Sequence, residues 1–311
     1  MNAPRTELGR VLTAMITPFD GDGRLDLRRA EELAHYLTQN GNDGLVVCGT
    51  TGESPTLTHA EKLELFRAVR GAIPGRPMVA GTGTNDTAAS IEMSREALAA
   101  GADAVMAVVP YYNKPPQKSL YAHFRAIAGA IDGPLVLYNV PTRTVANMEA
   151  ETTIRLSEVD NIVAVKEASP NLNQCAAICA GAADGFIVYS GEDSLTLSML
   201  AVGALGVVSV AGHFAARGIS RMVEAHHAGG VDEARMLHHQ LTPIFQGVFC
   251  TASPVPTKAL FEEIGFPMGG TRLPLVMDEI TAEQRAHLKS VFEGLGDLAA
   301  RVPVAAAAAP A

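Results

Sequence analysis

The chain has 311 residues, of which 48% are hydrophobic, and it carries a formal net charge of −9. This length and apolar content can bury a large core, either as one long α/β barrel or as two smaller domains. The acidic balance and the lack of a block of basic residues argue against nucleic acid or an anionic membrane surface as a partner. The polar N-terminal residues and the lack of a long apolar stretch predict a soluble, cytoplasmic protein.

Short apolar runs recur along the chain, each followed by a glycine-bearing loop and then by a helical pattern. The eight runs are residues 11–16, 44–49, 77–81, 104–109, 135–138, 162–166, 186–190 and 206–210. Short runs without alternation are typical of strands buried on both faces, as in a parallel sheet. The helical segments show the 3.6-residue period, and Thr58-x-x-Glu61 predicts a capping box. Eight such units predict a (β/α)8 TIM barrel over residues 1–230.

The last part of the chain has a helical pattern and no strand run. Helices are predicted at about residues 231–249, 256–264 and 281–292. They predict a C-terminal helical appendage over residues 231–297. The Ala/Pro-rich segment from 298 to 311 is of low complexity and is left out of the predicted fold.

A lysine ends the sixth apolar run, which is an unusual place for a charged residue. In a barrel enzyme, catalytic side chains lie at the carboxyl ends of the strands, where a partly desolvated ammonium can lose its proton and attack a carbonyl. Lys166 is therefore the candidate nucleophile. Glu167 is expected to point away from the barrel interior, because successive strand side chains face opposite sides. The alternative is that Lys166 extends from the strand end into solvent.

Hydroxyl and amide side chains follow several of the other strands. The segments that carry them are Gly49-Thr-Thr-Gly-Glu-Ser54, Gly81-Thr-Gly-Thr-Asn85, Pro110-Tyr-Tyr-Asn-Lys114 and Tyr138-Asn-Val-Pro-Thr-Arg143. Beside one lysine and one arginine, such donors suit the carboxylate and the carbonyl of a keto acid. Taken singly each segment is a weak signal, since a Thr pair after glycine is common in turns.

Three other chemistries are not favoured. The acids of Ser190-Gly-Glu-Asp193, after the seventh strand, would repel the phosphate group that some barrels bind there. The nine histidines include no His-Glu-x-x-His motif, so metal catalysis is not predicted. Gly81-x-Gly83 lacks the third glycine of a dinucleotide-binding fingerprint.

In order and spacing, these motifs resemble those of the dihydrodipicolinate synthase / N-acetylneuraminate lyase family of Schiff-base aldolases and lyases. The resemblance rests on residues 49–54, Pro110-Tyr-Tyr112, Tyr138-Asn-Val-Pro141 with Arg143-Thr144, and Val165-Lys-Glu-Ala168. It runs from about Val11 to Leu295, and Arg143-Thr144 is similar to the synthase branch. That branch implies condensation of pyruvate with aspartate 4-semialdehyde in lysine biosynthesis. The alternatives are an aldolase for a sugar-derived 2-keto acid, which would not need Arg143, and a catalytically silent barrel with a binding role.

The resemblance also implies roles for single residues. Lys166 would form an imine with pyruvate, Tyr138 would donate and accept the proton, and Thr50 with Tyr112 would complete a hydroxyl relay. The relay tyrosine, Tyr112, would be supplied across a dimer interface, in a homotetramer built from tight dimers. The implied substrate-binding residues are Thr51, Arg143, Val208 and Gly191. The resemblance implies no cofactor and no metal.

Some members of this family are inhibited by lysine at a cleft between paired subunits. The residues that match the lining of that cleft are Ser54, His59, Asn85 and Tyr111. Inhibited members often have histidine and glutamate where this chain has Lys62 and Ala89, so lysine is expected to inhibit weakly or not at all. A further departure lies at Thr251-Ala-Ser-Pro, where the family often has asparagine before the first proline.

Overall fold

A computed structural model describes residues 6–302 of the chain. The strands are β1 (Val11–Ala14), β2 (Gly44–Val47), β3 (Met78–Gly81), β4 (Ala104–Val108), β5 (Leu135–Asn139), β6 (Ile162–Glu167), β7 (Ile187–Ser190) and β8 (Gly206–Ser209). They form one closed barrel in which each strand pairs in parallel with the next along the chain, and β8 pairs with β1. The predicted TIM barrel is confirmed.

Helices connect successive strands on the outside of the barrel. They are α1 (Leu27–Gln39), α2 (His59–Ala72), α3 (Thr87–Ala99), α4 (Gln117–Gly129), α5 (Pro141–Thr144), α6 (Ala150–Ser157), α7 (Leu172–Gly181) and α8 (Thr196–Ala201), and α9 (Gly212–His227) follows β8. Short 3-10 helices lie at Ser54–Thr56, Asp193–Leu195, Met277–Glu279 and Gly296–Leu298. The predicted capping box is confirmed at α2, where Thr58 accepts from the Glu61 N–H and the Glu61 carboxylate accepts from the Thr58 N–H.

Two apolar layers form the core, one inside the barrel and one between the strands and the helices. Alternate residues of β6 divide between them, because Ala164 packs in the inner layer and Val165 in the outer one. The same alternation directs Lys166 toward the interior and Glu167 toward the outer layer. Both residues are buried.

The pairing of β5 with β6 contains an irregularity. Leu135 pairs with Ile162 but the next residue, Val136, pairs with Ala164, so one residue of β6 is skipped. The bulge sets the register that follows, in which Tyr138 pairs with Lys166.

The C-terminal part of the described chain is helical, as predicted, with α10 (Val231–Gly247), α11 (Val255–Glu263) and α12 (Ala282–Gly294). The division into a barrel of 230 residues and a separate appendage stays a prediction. The first residues of the predicted tail are packed: Leu298 is buried, and the Ala300 N–H donates to the Phe214 carbonyl at 2.7 Å. Residues 303–311 of that tail lie outside the described residues.

Within residues 6–302, no helix combines the length and the apolar character that crossing a membrane requires.

Candidate active site

Lys166 and Tyr138 are direct partners across β5 and β6 at the carboxyl end of the barrel. The Lys166 side chain does not extend into solvent: the residue is 5% exposed, and its Nζ lies 4.4 Å from the centroid of the Tyr138 ring. No carboxylate pairs with this ammonium among the described residues. An amine held against a phenol in a buried place has the two functional groups that imine formation needs, a nucleophile and a proton carrier.

Behind this pair, on the outer side of the sheet, lies a hydrogen-bond network centred on the buried carboxylate of Glu167. Asn139 donates to both of its oxygens at 3.1 Å each, Ser169 N donates at 2.7 Å and Gln174 Nε2 at 3.0 Å. Glu167 therefore points away from the interior, as predicted from strand alternation. These partners give the buried carboxylate the hydrogen bonds that burial demands.

A cavity of about 250 Å³ opens beside Tyr138. Its lining comprises Gly49, Thr50, Ser54, Pro55, Lys62, Gly81, Gly83, Thr84, Met106, Val108, Tyr111, Tyr138, Val140, Arg143 and Thr144. The mixture of apolar walls with a few hydroxyls and one guanidinium is typical of a site for a small polar ligand. Lys166 is adjacent to the cavity through its contact with Tyr138.

The two neighbouring threonines, Thr50 and Thr51, have different surroundings. Thr50 lines the cavity, whereas Thr51 is buried at 6% exposure and is not part of the cavity wall. Both belong to the loop of residues 49–54, which we call the threonine loop. Cys48, just before the loop, and Glu53, its fifth residue, are non-glycine residues with left-handed backbones at φ 56° and 54°.

Arg143 lies on the short helix α5 and reaches the rim of the cavity, with its side chain exposed. Tyr111 lines the same cavity, but Tyr112 is 89% exposed, has φ 72° and is not part of its lining. Within one chain, the structure thus brings Thr50, Tyr138 and Arg143 together and leaves Tyr112 outside.

Gly191 and Val208 complete the set of predicted substrate-binding residues. Val208 is buried in the inner layer, and Gly191 lies against Lys166, where a Cβ would approach Lys166 Cγ to 3.1 Å and Ala168 Cβ to 2.6 Å. Any larger residue at 191 would clash with Ala168 and press against the lysine side chain. Asp193, two residues on, accepts from the Val210 and Ala211 N–H groups at 2.9 Å each.

The contacts of Asp193 also concern the place where some barrels bind a phosphate group. Backbone N–H groups after the eighth strand bind phosphate in some barrels, but here the buried Asp193 carboxylate already accepts them. Burial raises the pKa of Asp193, and the hydrogen bonds from Ala211, Ser209 and Val210 oppose that shift.

Two of the four residues of the predicted lysine cleft line the same cavity. Ser54 and Tyr111 line it, while His59 pairs with Glu96 at 2.5 Å and the Asn85 carbonyl accepts from Asn113 at 3.1 Å. Lys62 also lines the cavity, and burial lowers the pKa of its ammonium. Ala89 is exposed on α3.

Sequence reasoning missed the groups that support the site from outside. Glu53 forms a buried ion pair with Lys258 of α11, and Asn139 and Gln174 hold Glu167. The one available signal for Lys258 was a lysine among apolar residues on a predicted helix. As for metals, no cluster of three or more His, Cys, Asp or Glu side chains suited to an ion occurs in the part of the chain that the structure describes.

The chain is similar to known proteins over nearly its whole length. The model of the dihydrodipicolinate synthetase family matches residues 7–294. A 4-hydroxy-tetrahydrodipicolinate synthase from Moorella thermoacetica is 54% identical over 289 residues, covering 93% of this chain and 98% of that protein. The synthase of that name from Synechococcus elongatus is 50% identical, covering 93% of this chain and 96% of its own length. The crystal structure of the enzyme from Cyanidioschyzon merolae with lysine bound matches with a TM-score of 0.90 and 47% identity, covering 93% of this chain and 98% of that chain. The chain belongs to the dihydrodipicolinate synthetase family.

Proposed function

We propose that this protein is a 4-hydroxy-tetrahydrodipicolinate synthase, a lyase that condenses pyruvate with L-aspartate 4-semialdehyde through a Schiff base on Lys166. The observation that carries the proposal is the buried pairing of Lys166 with Tyr138 beside a cavity that also holds Thr50 and Arg143. Relatives at 50–54% identity bear this enzyme name. The proposed pathway role is lysine (diaminopimelate) biosynthesis.

In the proposed reaction, the neutral amine of Lys166 attacks the keto carbon of pyruvate, and loss of water leaves an imine. Removal of a methyl proton then gives an enamine, whose carbon attacks the aldehyde of the second substrate. Tyr138 is proposed to carry these protons, since its ring centroid lies 4.4 Å from the amine. The amino group of the semialdehyde then attacks the imine carbon, which closes the ring and releases Lys166 as the free amine. The reaction needs no redox partner, because it loses one water, moves protons, and forms one carbon–carbon and one ring carbon–nitrogen bond.

Substrate recognition follows from the residues around this pair. Thr51 and the backbone at Val208 are proposed to hold the pyruvate carboxylate, and Gly191 leaves the space in which the imine forms. Arg143 is proposed to bind the carboxylate of the semialdehyde, because a guanidinium at the cavity rim can donate two parallel hydrogen bonds. An aldolase that acts on a sugar-derived 2-keto acid would not need Arg143 for this contact.

We further propose a homotetramer of tight dimers in the cytoplasm. Tyr112 supports the dimer: a tyrosine that is 89% exposed is poorly placed to relay protons to Thr50 of its own chain. A second copy that packs over the cavity could supply this hydroxyl.

Borohydride trapping tests the Schiff base. Pyruvate plus borohydride should add one reduced pyruvyl group to Lys166, found by intact mass and peptide mapping, because reduction fixes an imine that only a neutral amine can form. Lys166→Arg should not trap, whereas Lys118→Arg, at an exposed lysine of α4, should trap normally. An unmodified wild-type protein would disprove the mechanism.

A second assay tests the substrate. Pyruvate consumption should be stimulated by aspartate semialdehyde and not by aldehydes that lack a carboxylate. Turnover of a sugar-derived 2-keto acid without turnover of the semialdehyde would favour the rival aldolase.

A further inference from the structure

A buried ion pair joins the threonine loop to the C-terminal helices. Glu53 is the fifth residue of the loop, and Lys258 lies on α11. Their Oε1 and Nζ atoms are 2.7 Å apart, and the side chains are 1% and 0% exposed. Burial lowers the pKa of Lys258 to about 8, an effect that the Glu53 carboxylate opposes.

Arg272, after α11, makes a second set of contacts to the same part of the chain. Its backbone N–H donates to the other Glu53 oxygen at 2.9 Å. Its guanidinium donates to the Thr56 carbonyl at 2.9 Å and to both carboxylate oxygens of Glu61. The C-terminal region therefore holds the end of the loop and the start of the following helix.

Phe19, which follows β1, contacts both cations. Lys258 Nζ is 4.3 Å and Arg272 Cζ is 4.4 Å from the centroid of its ring. Two cation–π contacts on one buried ring fix both side chains in direction as well as in distance. Lys258 also donates to the Gly270 carbonyl at 2.5 Å.

The loop is one that needs external contacts to keep its shape. Cys48 and Glu53 have left-handed backbones without being glycine, a conformation that is less favourable for residues with a Cβ. Such residues persist where surrounding contacts determine them. Between them, Thr50 faces the cavity, and the Gly52 carbonyl accepts from Thr17 at 2.6 Å.

Stability alone gives no reason to keep such a pair, because well-packed apolar residues can replace a buried ion pair without loss of stability. An ion pair is directional, however, and it fixes one geometry of Glu53 where an apolar contact would allow several. We propose that Glu53, Lys258 and Arg272 are positioning residues for the reaction, by which the C-terminal helices hold the threonine loop so that Thr50 faces Tyr138 and the bound keto acid. The catalytic part of this inference rests on the proposed function, whereas the ordering of the loop does not.

The test removes both charges of the buried pair at once. Glu53→Gln/Lys258→Met leaves no unpaired buried charge, so the double variant should unfold at a temperature close to wild type. The matched control is Glu262→Gln/Arg285→Met, which removes a 2.9 Å ion pair one turn further along α11. Three quantities are measured: the unfolding temperature, hydrogen exchange of the amides of residues 50–57, and kcat and KM for both substrates.

The double variant should exchange the loop amides at least about 10-fold faster than the control, and its kcat should fall by about 10- to 100-fold, as expected for a misplaced catalytic group. Wild-type loop exchange together with kcat within about twofold of wild type would overturn the inference, because the pair would then be only structural. If the double variant does not fold, Arg272→Gln replaces it, because that side chain is partly exposed and the buried pair remains. Its loop amides should also exchange faster, and unchanged exchange and kcat would equally overturn the inference.

These results separate the inference from the proposed function. If the wild-type protein fails to condense pyruvate with aspartate semialdehyde, the proposed function fails. The loop exchange still decides whether the C-terminal contacts order the loop.

Discussion

The Asn139 side-chain nitrogen lies 3.1 Å from each carboxylate oxygen of Glu167, and these two residues directly follow Tyr138 and Lys166 in their strands. The contact therefore joins β5 to β6 on the outside of the barrel at the level of the Tyr138–Lys166 pair. This matters because the bulge at Leu135 has already shifted the pairing by one residue. A further slip would turn every following side chain to the other face.

Glu167→Gln should accordingly slow pyruvate trapping on Lys166 and lower the unfolding temperature. The substituted amide either turns a donor toward Asn139, Ser169 or Gln174 or leaves one of them unpaired, at a cost of about 1–3 kcal/mol. Single-turnover trapping and thermal unfolding measure the two effects. Glu151→Gln, at an exposed site on α6, should change neither. Normal trapping by a destabilised Glu167→Gln protein would limit the network to a structural role.

The barrel could be predicted because its signal is local. Each strand is a short apolar run, and Lys166 stood out because a charge ended one of them. The contacts of Glu53 with Lys258 and of Glu53 with Arg272 join residues more than 200 positions apart, as does the contact of Arg272 with Glu61. Contacts between residues so far apart cannot be predicted from the periodicity or spacing of residues in one sequence. The bulge between β5 and β6 could not be predicted either, because it is a property of how two strands pair and not of one segment of sequence.

Arg143→Ala should reduce kcat/KM for aspartate semialdehyde by about 10- to 100-fold, as expected for loss of a charge-assisted carboxylate contact. Pyruvate trapping should change much less, because Lys166 and Tyr138 are untouched. Steady-state kinetics and the trapping rate give the comparison. Arg125→Ala, at an exposed arginine of α4, is the control. Equal loss of both functions would mean that Arg143 is structural.

Tyr112→Phe should keep imine formation but slow turnover, because it removes only the proposed relay hydroxyl. Its side chain is 89% exposed in one chain, so the folding of the single chain is not expected to depend on this hydroxyl. Mixing this variant with Thr50→Val under conditions that exchange subunits should restore part of the activity, since some sites would then have both hydroxyls. Activity equal to wild type in Tyr112→Phe alone would refute the relay.

Lysine should inhibit this enzyme weakly or not at all. Lys62 and Ser54 both line the cavity, so the Lys62 ammonium would repel the side chain of a lysine bound there, and Ala89 offers no carboxylate. A lysine titration of the purified enzyme measures this. Lys62→His/Ala89→Glu should lower the inhibitory concentration by about tenfold or more, since each charge change acts in a partly desolvated place. Strong inhibition of the wild type below millimolar lysine would contradict the expectation.

A pH-dependent loss of stability is expected from His213, which is fully buried. Its Nε2 accepts from Ile16 N at 3.1 Å and its Nδ1 is 2.8 Å from the Val210 carbonyl, so the neutral imidazole carries its proton on Nδ1. Burial lowers the pKa of His213 to about 4. The unfolded chain, with an ordinary pKa of about 6.5, binds the proton first, so stability is complete above that pH and is lost as the pH falls toward 4.

At pH 5 this difference amounts to about 2 kcal/mol. His213→Gln removes the titration, so the gap in unfolding temperature between wild type and variant should narrow between pH 7.5 and pH 5. The other histidines are present in both proteins and cancel in the comparison. His35→Gln, at an exposed site on α1, should leave the wild-type pH dependence intact. A gap that stays constant with pH would contradict the assignment.

The predicted effector cleft and the proposed reaction site share one cavity in this molecule. Lys62 and Ser54, from the predicted effector cleft, and Tyr138 and Arg143, from the reaction site, are walls of a single cavity of about 250 Å³. An effector bound there would need no relay through the fold, because it would alter the field and the free volume that the substrates meet. A change at position 62 that altered effector binding would therefore also alter the cavity that the substrates are proposed to enter, so the two properties would change together.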